Sequence, residues 1–180
     1  MGQISQTTLR VIAANIQTML EAPVDIMPAM AMPEEAFQRH RCQYDAGLVL
    51  KYLARFSFPH HSHILAVSDV DLCTPILTFV FGQAELGLTR AIISDFRLKR
   101  MGDGFMASED IYYERLVKVA LHEIAHTLSL YHCETPKCLM QISHGLNHLD
   151  ELDIFFCERC TFMLHQSIRN LHRYLPRPPL

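Results

Sequence analysis

The sequence predicts a mixed α/β fold of the α+β kind, with a small helical C-terminal subdomain appended to it. Three observations lead there. Helical and strand-like periods alternate through the first hundred residues. Residues 109–130 then read as one long buried helix that carries His122-Glu123-Ile124-Ala125-His126. Two cysteine pairs follow, Cys133 with Cys138 and Cys157 with Cys160, spaced to make a four-cysteine zinc site.

The elements follow in order. Thr7 to Leu20 reads as an amphipathic helix, because Leu9, Ile12, Ile16 and Leu20 recur at helical spacing. Pro23 to Met27 reads as a short buried strand, and Pro33-Glu34-Glu35 as a helix start or turn. Tyr44 to Phe56 reads as a second helix with Leu48, Leu50, Leu53 and Phe56 among its apolar positions. Pro59-His60-His61-Ser62-His63 is a solvated loop rather than a metal site, since nothing there fixes a ligand geometry. Ser62 to Val67 reads as a strand and Ser68 to Thr74 as a polar connection. Ile76 to Phe81 is apolar and β-rich, and Gly82 to Gly87 carries turn glycines before another strand at Thr89 to Phe96. Strands ending in a hairpin-like pair among helices imply a mixed sheet. Arg97 to Ala107 is a connection. Ser108-Glu109-Asp110 then supplies a helix start, a serine cap with acidic residues in the first turn. Beyond it, Asn147 to Phe156 and Thr161 to Tyr174 read as helices, and Pro176 to Leu180 as a tail.

At 180 residues the chain is expected to be one domain. Its upper part spans about 1–131 and its lower part about 132–180. Hydrophobic residues are 49% and charged residues 19%, the balance of a globular protein. A net charge of −3 without a basic stripe argues against nucleic-acid binding.

The histidines carry the chemistry. On a helix, His122 and His126 lie at i and i+4 and face one way, so both imidazoles can reach one zinc. Glu123 beside them can take a proton from water at that zinc. His132 follows six residues later. If the helix continued, it would lie about 9 Å further along the axis. The helix must therefore stop and the chain fold back. Such a stop uses a left-handed position, normally glycine, and here Ser129 stands where it is expected.

Taken together, His122, Glu123, His126, His132, Cys133, Cys138, Met140, Cys157 and Cys160 resemble the pattern of the archaemetzincins, a metzincin-like family of zinc peptidases. Arg41-Cys42-Gln43-Tyr44 and Phe79-Val80-Phe81-Gly82-Gln83-Ala84-Glu85-Leu86-Gly87 extend the resemblance upstream, over nearly the whole chain. Two positions depart from it: Ser129 replaces the family glycine, and the gap from Met140 to Cys157 is one residue short. The resemblance implies a metzincin-like sheet with an antiparallel edge strand, for which Thr89 to Phe96 is the candidate, against which a peptide can add. Members usually begin with a strand before the first helix, and no convincing one is present here. The resemblance also implies two zinc ions per chain. A catalytic one would sit on His122, His126 and His132, with Glu123 as the general base. A structural one would sit on Cys133, Cys138, Cys157 and Cys160. Met140 would be the Met-turn residue beneath the histidines.

Two alternatives stand beside this. One is a non-catalytic zinc protein, in which Ser129 degrades the site. The other is a three-histidine endoribonuclease, whose H-x3-H-x5-H spacing matches but which carries neither the glutamate nor the four cysteines. The start of the chain lacks the basic and apolar regions of a signal peptide, no run is long enough for a membrane helix, and a thiol-rich zinc site suits a reducing compartment. A cytoplasmic monomer acting on peptide or protein substrates, with no nucleic-acid or membrane partner, is expected.

Overall fold

The computed structural model describes residues 3–102 and 104–174; the expected tail at 176–180 lies outside them. Helix α1, Gln6–Leu20, starts where the Ser5 hydroxyl accepts a hydrogen bond from Thr8 N–H. It buries Ile12 and Ile16, two of the apolar positions its period marks. Helix α2, Ala46–Leu53, is shorter than its apolar pattern suggests, because Asp45 caps it and Gln43–Asp45 are extended as strand β2. A small sheet takes the order β1-β2-β4, where β1 is Phe37–Gln38 and β4 is Leu72–Cys73.

The main sheet has the order β3-β6-β5. Strand β3, Ile64–Ser68, runs parallel to β6, Arg90–Ser94, and β5, Gly82–Ala84, runs antiparallel to β6. Side chains of a strand alternate between faces. Ile92 accordingly packs with α2, while Ile93 packs with α1 and with α3, Glu109–Thr127. The result is three layers, with α2 on one face of the sheet and α1 with α3 on the other. Among the described residues no strand precedes α1.

Three sequence expectations change. Thr89 to Phe96 was the candidate edge strand, but β6 is the central one: Ala91, Ile92 and Ile93 are fully buried and paired on both sides. A continuous apolar run marks a strand covered on both faces, and the antiparallel edge is the short β5 instead. Ile76 to Phe81 is not a strand. Ile76 is 92% exposed in a bent segment, and only Val80 makes an isolated bridge, to Leu72. Pro23 to Met27 forms no strand, and Ile26 and Met27 are over 40% exposed. Pro23 cannot donate to a ladder, and Pro28 closes the segment just beyond it.

The C-terminal part is held to α3 by charge. Arg115, only 1% exposed, reaches both carboxylate oxygens of Asp150 at 2.6 Å and donates to the carbonyls of Leu98 and Arg100. Lys118, equally buried, pairs with Glu114 at 2.6 Å and donates to the Leu149 carbonyl. Buried cations persist only when paired in this way. Asp150 sits in α4, Leu146–Glu151, which ends earlier than the expected Asn147 to Phe156. Helix α5, Glu158–Tyr174, begins between the last two cysteines.

Candidate active site

Helix α3 delivers the first two histidines. Ser108 caps it by accepting from Ile111 N–H, and Glu109 and Asp110 occupy the first turn. Its core side, with Leu116, Val117, Ala120 and Ile124, packs under the main sheet. That burial leaves His122 and His126 together on another side of the helix, next to His132.

The helix then stops as the spacing of His132 requires. Thr127 is the last helical residue, Leu128 caps the helix, and Ser129 takes φ 68°, in the left-handed region. Leu130 N–H donates to the Ala125 carbonyl at 3.0 Å and Ser129 N–H to the His126 carbonyl at 3.0 Å. This pair of bonds is the Schellman arrangement, normally built on glycine. It reverses the chain and returns His132 to the other two rings.

The three Nε2 atoms converge. His122 and His126 are 3.0 Å apart at Nε2, and His126 and His132 are 3.2 Å apart. The corner-to-corner distance of a tetrahedron with arms of about 2.0–2.1 Å is roughly 3.4 Å, so the donor set fits zinc. The far sides of the first two rings are fixed. His122 Nδ1 lies 2.7 Å from the Leu139 carbonyl and His126 Nδ1 lies 2.7 Å from the Leu130 carbonyl. A carbonyl only accepts, so each Nδ1 carries the proton and each Nε2 presents its lone pair inward. Burial, then the neighbouring His126, pushes the His122 pKa down to about 3, and burial also lowers His126 and His132. The rings are neutral at neutral pH, as ligands must be.

Glu123 is 7% exposed, and burial pushes its pKa up to about 8. It lies against β5: a side-chain carbon added at Gly82 would meet Glu123 Cγ at 2.7 Å and Oε1 at 2.9 Å. Gly82 read as a turn residue in the sequence. It is a strand residue whose missing side chain admits the glutamate. Only the helical position of Glu123 was legible, not this neighbour.

The four cysteines also come together. All four Sγ atoms lie within 4.8 Å of one another, and Cys133 and Cys157 are 3.7 Å apart. Four sulfurs around zinc at about 2.3 Å are separated by roughly 3.8 Å, so this set fits as well. Burial raises the pKa of Cys138 and Cys160. At Cys157 burial acts upward too, but hydrogen bonds from the Cys160 backbone and Thr135 outweigh it and hold the thiol near 6. Met140, fully buried, links the two clusters: its carbonyl accepts from Cys133 N–H at 2.8 Å, and the preceding carbonyl holds His122. The loop histidines His60, His61 and His63 join neither cluster, and His61 pairs with Asp25 instead.

Comparison with known proteins gives a consistent picture. The profile of peptidase family M54 matches residues 5–166. The chain is 33% identical over 157 residues to an archaemetzincin of Archaeoglobus fulgidus, covering 87% of this chain and 91% of that protein. It is 36% identical over 136 residues to an archaemetzincin of Methanocaldococcus jannaschii, covering 76% and 74%. The crystal structure of archaemetzincin from Methanopyrus kandleri superposes with a TM-score of 0.84 at 30% identity, covering 94% of this chain and 91% of that one. The Archaeoglobus fulgidus structure, complexed with malonate, gives 0.77 at 31% identity, covering 91% and 99%.

Proposed function

Because the chain belongs to peptidase family M54, the archaemetzincins, and is a zinc metallopeptidase, we propose that His122, His126 and His132 hold its catalytic zinc and that Glu123 is the general base. Cys133, Cys138, Cys157 and Cys160 hold the structural zinc, and Met140 packs beneath the histidines without binding metal. The observation that carries the reading is the convergence of three neutral Nε2 atoms, two of them locked by backbone carbonyls on the opposite ring nitrogen.

Zinc bound there supplies Lewis-acid chemistry, making water a nucleophile near neutral pH and polarising a carbonyl. The chain's own residues do the rest. His122 and His126 keep their lone pairs aimed inward because Leu139 and Leu130 fix their tautomers. Glu123 takes the proton of the attacking water and returns it to the leaving amine. Its burial favours the protonated state that the second step needs. A cation held by the three neutral histidines would favour the carboxylate that the first step needs. The edge strand β5 offers its free side to an extended peptide, which would bring the scissile bond across Glu123.

The reading includes a division near residue 131 into an upper and a lower part, a monomer free of nucleic-acid and membrane partners, and a cytoplasmic site of action. The last is supported by the free thiols and by the finding that no helix among the described residues is long and apolar enough to cross a membrane.

The test is metal content followed by cleavage. Protein purified without added metal is expected to hold two zincs per chain, one of them removed by a mild chelator. Peptide-library cleavage should vanish with that zinc and return when it is restored. Cleavage that persists after its removal, or no cleavage at full loading, would sink the proposal.

A further inference from the structure

Ser129 sits in a backbone conformation that favours glycine, at the turn that aims His132. Taken alone this looks like damage to the site. The opposite residue changes that view. Gly87, in the turn between β5 and β6, has φ +67°, and a side-chain carbon added there would lie 2.9 Å from Ser129 Oγ but 3.9 Å from Ser129 Cβ. The hydroxyl alone therefore fills the volume that a side chain at Gly87 would take. The contact is not a general property of loop glycines, since Gly102, Gly104 and Gly145 have nothing within 4 Å of the same added carbon. Gly87 is also bonded to the helix end. Its N–H donates to the His126 carbonyl at 2.9 Å, the carbonyl that also accepts from Ser129 N–H.

We propose that Ser129 and Gly87 are a fitted pair of positioning residues: the serine hydroxyl packs into the space left by the missing Gly87 side chain and holds the β5–β6 turn against the end of α3. The pair sets the edge strand relative to His126 and to the turn that returns His132. The serine is then accommodated by the hairpin rather than simply tolerated. The inference rests on the reading of the three histidines as a zinc site.

Four proteins test it: the natural chain, Gly87→Ala, Ser129→Ala and the double variant. The first readout is the dissociation constant of the exchangeable zinc, by competition with a chelator, with the tightly held second zinc as internal reference. The second is KM for a peptide that the natural chain cleaves. In the serine chain, Gly87→Ala is expected to raise both on the order of tenfold, and in the Ser129→Ala background by about twofold or less, a coupling typical of residues in contact. Ser129→Ala removes the hydroxyl and keeps the left-handed backbone, so rescue by it isolates the fit from backbone strain. The same fold-change in both backgrounds would overturn the pairing and assign the loss to the φ of Gly87. Equal weakening of both zincs would also overturn it, as a general loss of fold. If Gly87→Ala does not accumulate as folded protein, recovery of folded yield in the double variant is the rescue, and no recovery overturns the proposal. If none of the four cleaves peptide, the peptidase reading fails while the zinc comparison still decides the pairing.

Discussion

His132 and Cys133 are consecutive, yet one points into an open cluster of three imidazoles and the other into a closed cluster of four thiols. The imidazole cluster is oriented from outside. Two of its rings hang on a helix packed under the sheet, and carbonyls of Leu139 and Leu130 hold their far nitrogens. His132, its third member, is exposed. The thiol cluster is oriented from within. Thr135 N–H donates to Cys133 Sγ and Cys157 N–H to Cys138 Sγ, so the turns carrying the sulfurs also bond them. Two of its members, Cys138 and Cys160, are buried. The difference shows how one short stretch serves two ends. The imidazole cluster borrows its order from a helix and a sheet; the thiol cluster buries half of its members and ties together the turns around it.

The largest effect expected from breaking this contrast is at the closed cluster. Cys138→Ser should lower the melting temperature by about 10 °C or more, since losing a structural zinc removes several kcal/mol of folding energy. Calorimetry of the zinc-loaded proteins checks it, and an unchanged melt would mean that the lower part folds without that ligand. Next, Glu123→Ala should lower kcat by roughly 10²–10⁴-fold, the usual contribution of a general base, with zinc content unchanged. Turnover retained in that variant would remove Glu123 from the mechanism. A smaller loss belongs to the tie between the two regions. Asp150→Ala leaves the buried Arg115 guanidinium short of its carboxylate. Because Asp150 is itself partly exposed, about 2 kcal/mol is expected rather than the full cost of a broken buried pair, or a melting shift of several degrees. The smallest effect should come from Ser108→Ala, which removes the cap of α3 far from either cluster. About 1 kcal/mol of stability should go, with kcat and both zincs intact. A change in zinc affinity there would show that the helix transmits strain to its histidines.

Much of this molecule is legible in its sequence because the residues that matter most are chemically unmistakable. His122, His126, His132 and the four cysteines announce two clusters by type and spacing, both of which come together, and the need for a chain reversal before His132 follows from helix geometry alone. Ser108 and the acidic first turn locate the start of α3. What stays hidden is what depends on partners distant in sequence. The continuous apolar run at Ala91-Ile92-Ile93 is compatible with any buried strand, and only pairing makes β6 central. Gly82 resembles a turn residue until Glu123 is seen beside it. Arg115 and Lys118 fall on a helix that could equally face solvent, and their burial depends on Asp150 and the α4 backbone. Ile76 and Leu77 are apolar and exposed, and no local pattern announces that.

Because a single peptide bond separates His132 from Cys133, the two clusters share one stretch of backbone. Cys133 N–H is tied to the Met140 carbonyl, and the carbonyl just before it holds His122. A displacement of the thiol loop would therefore carry imidazoles with it, and a fault introduced among the sulfurs would be read out among the histidines.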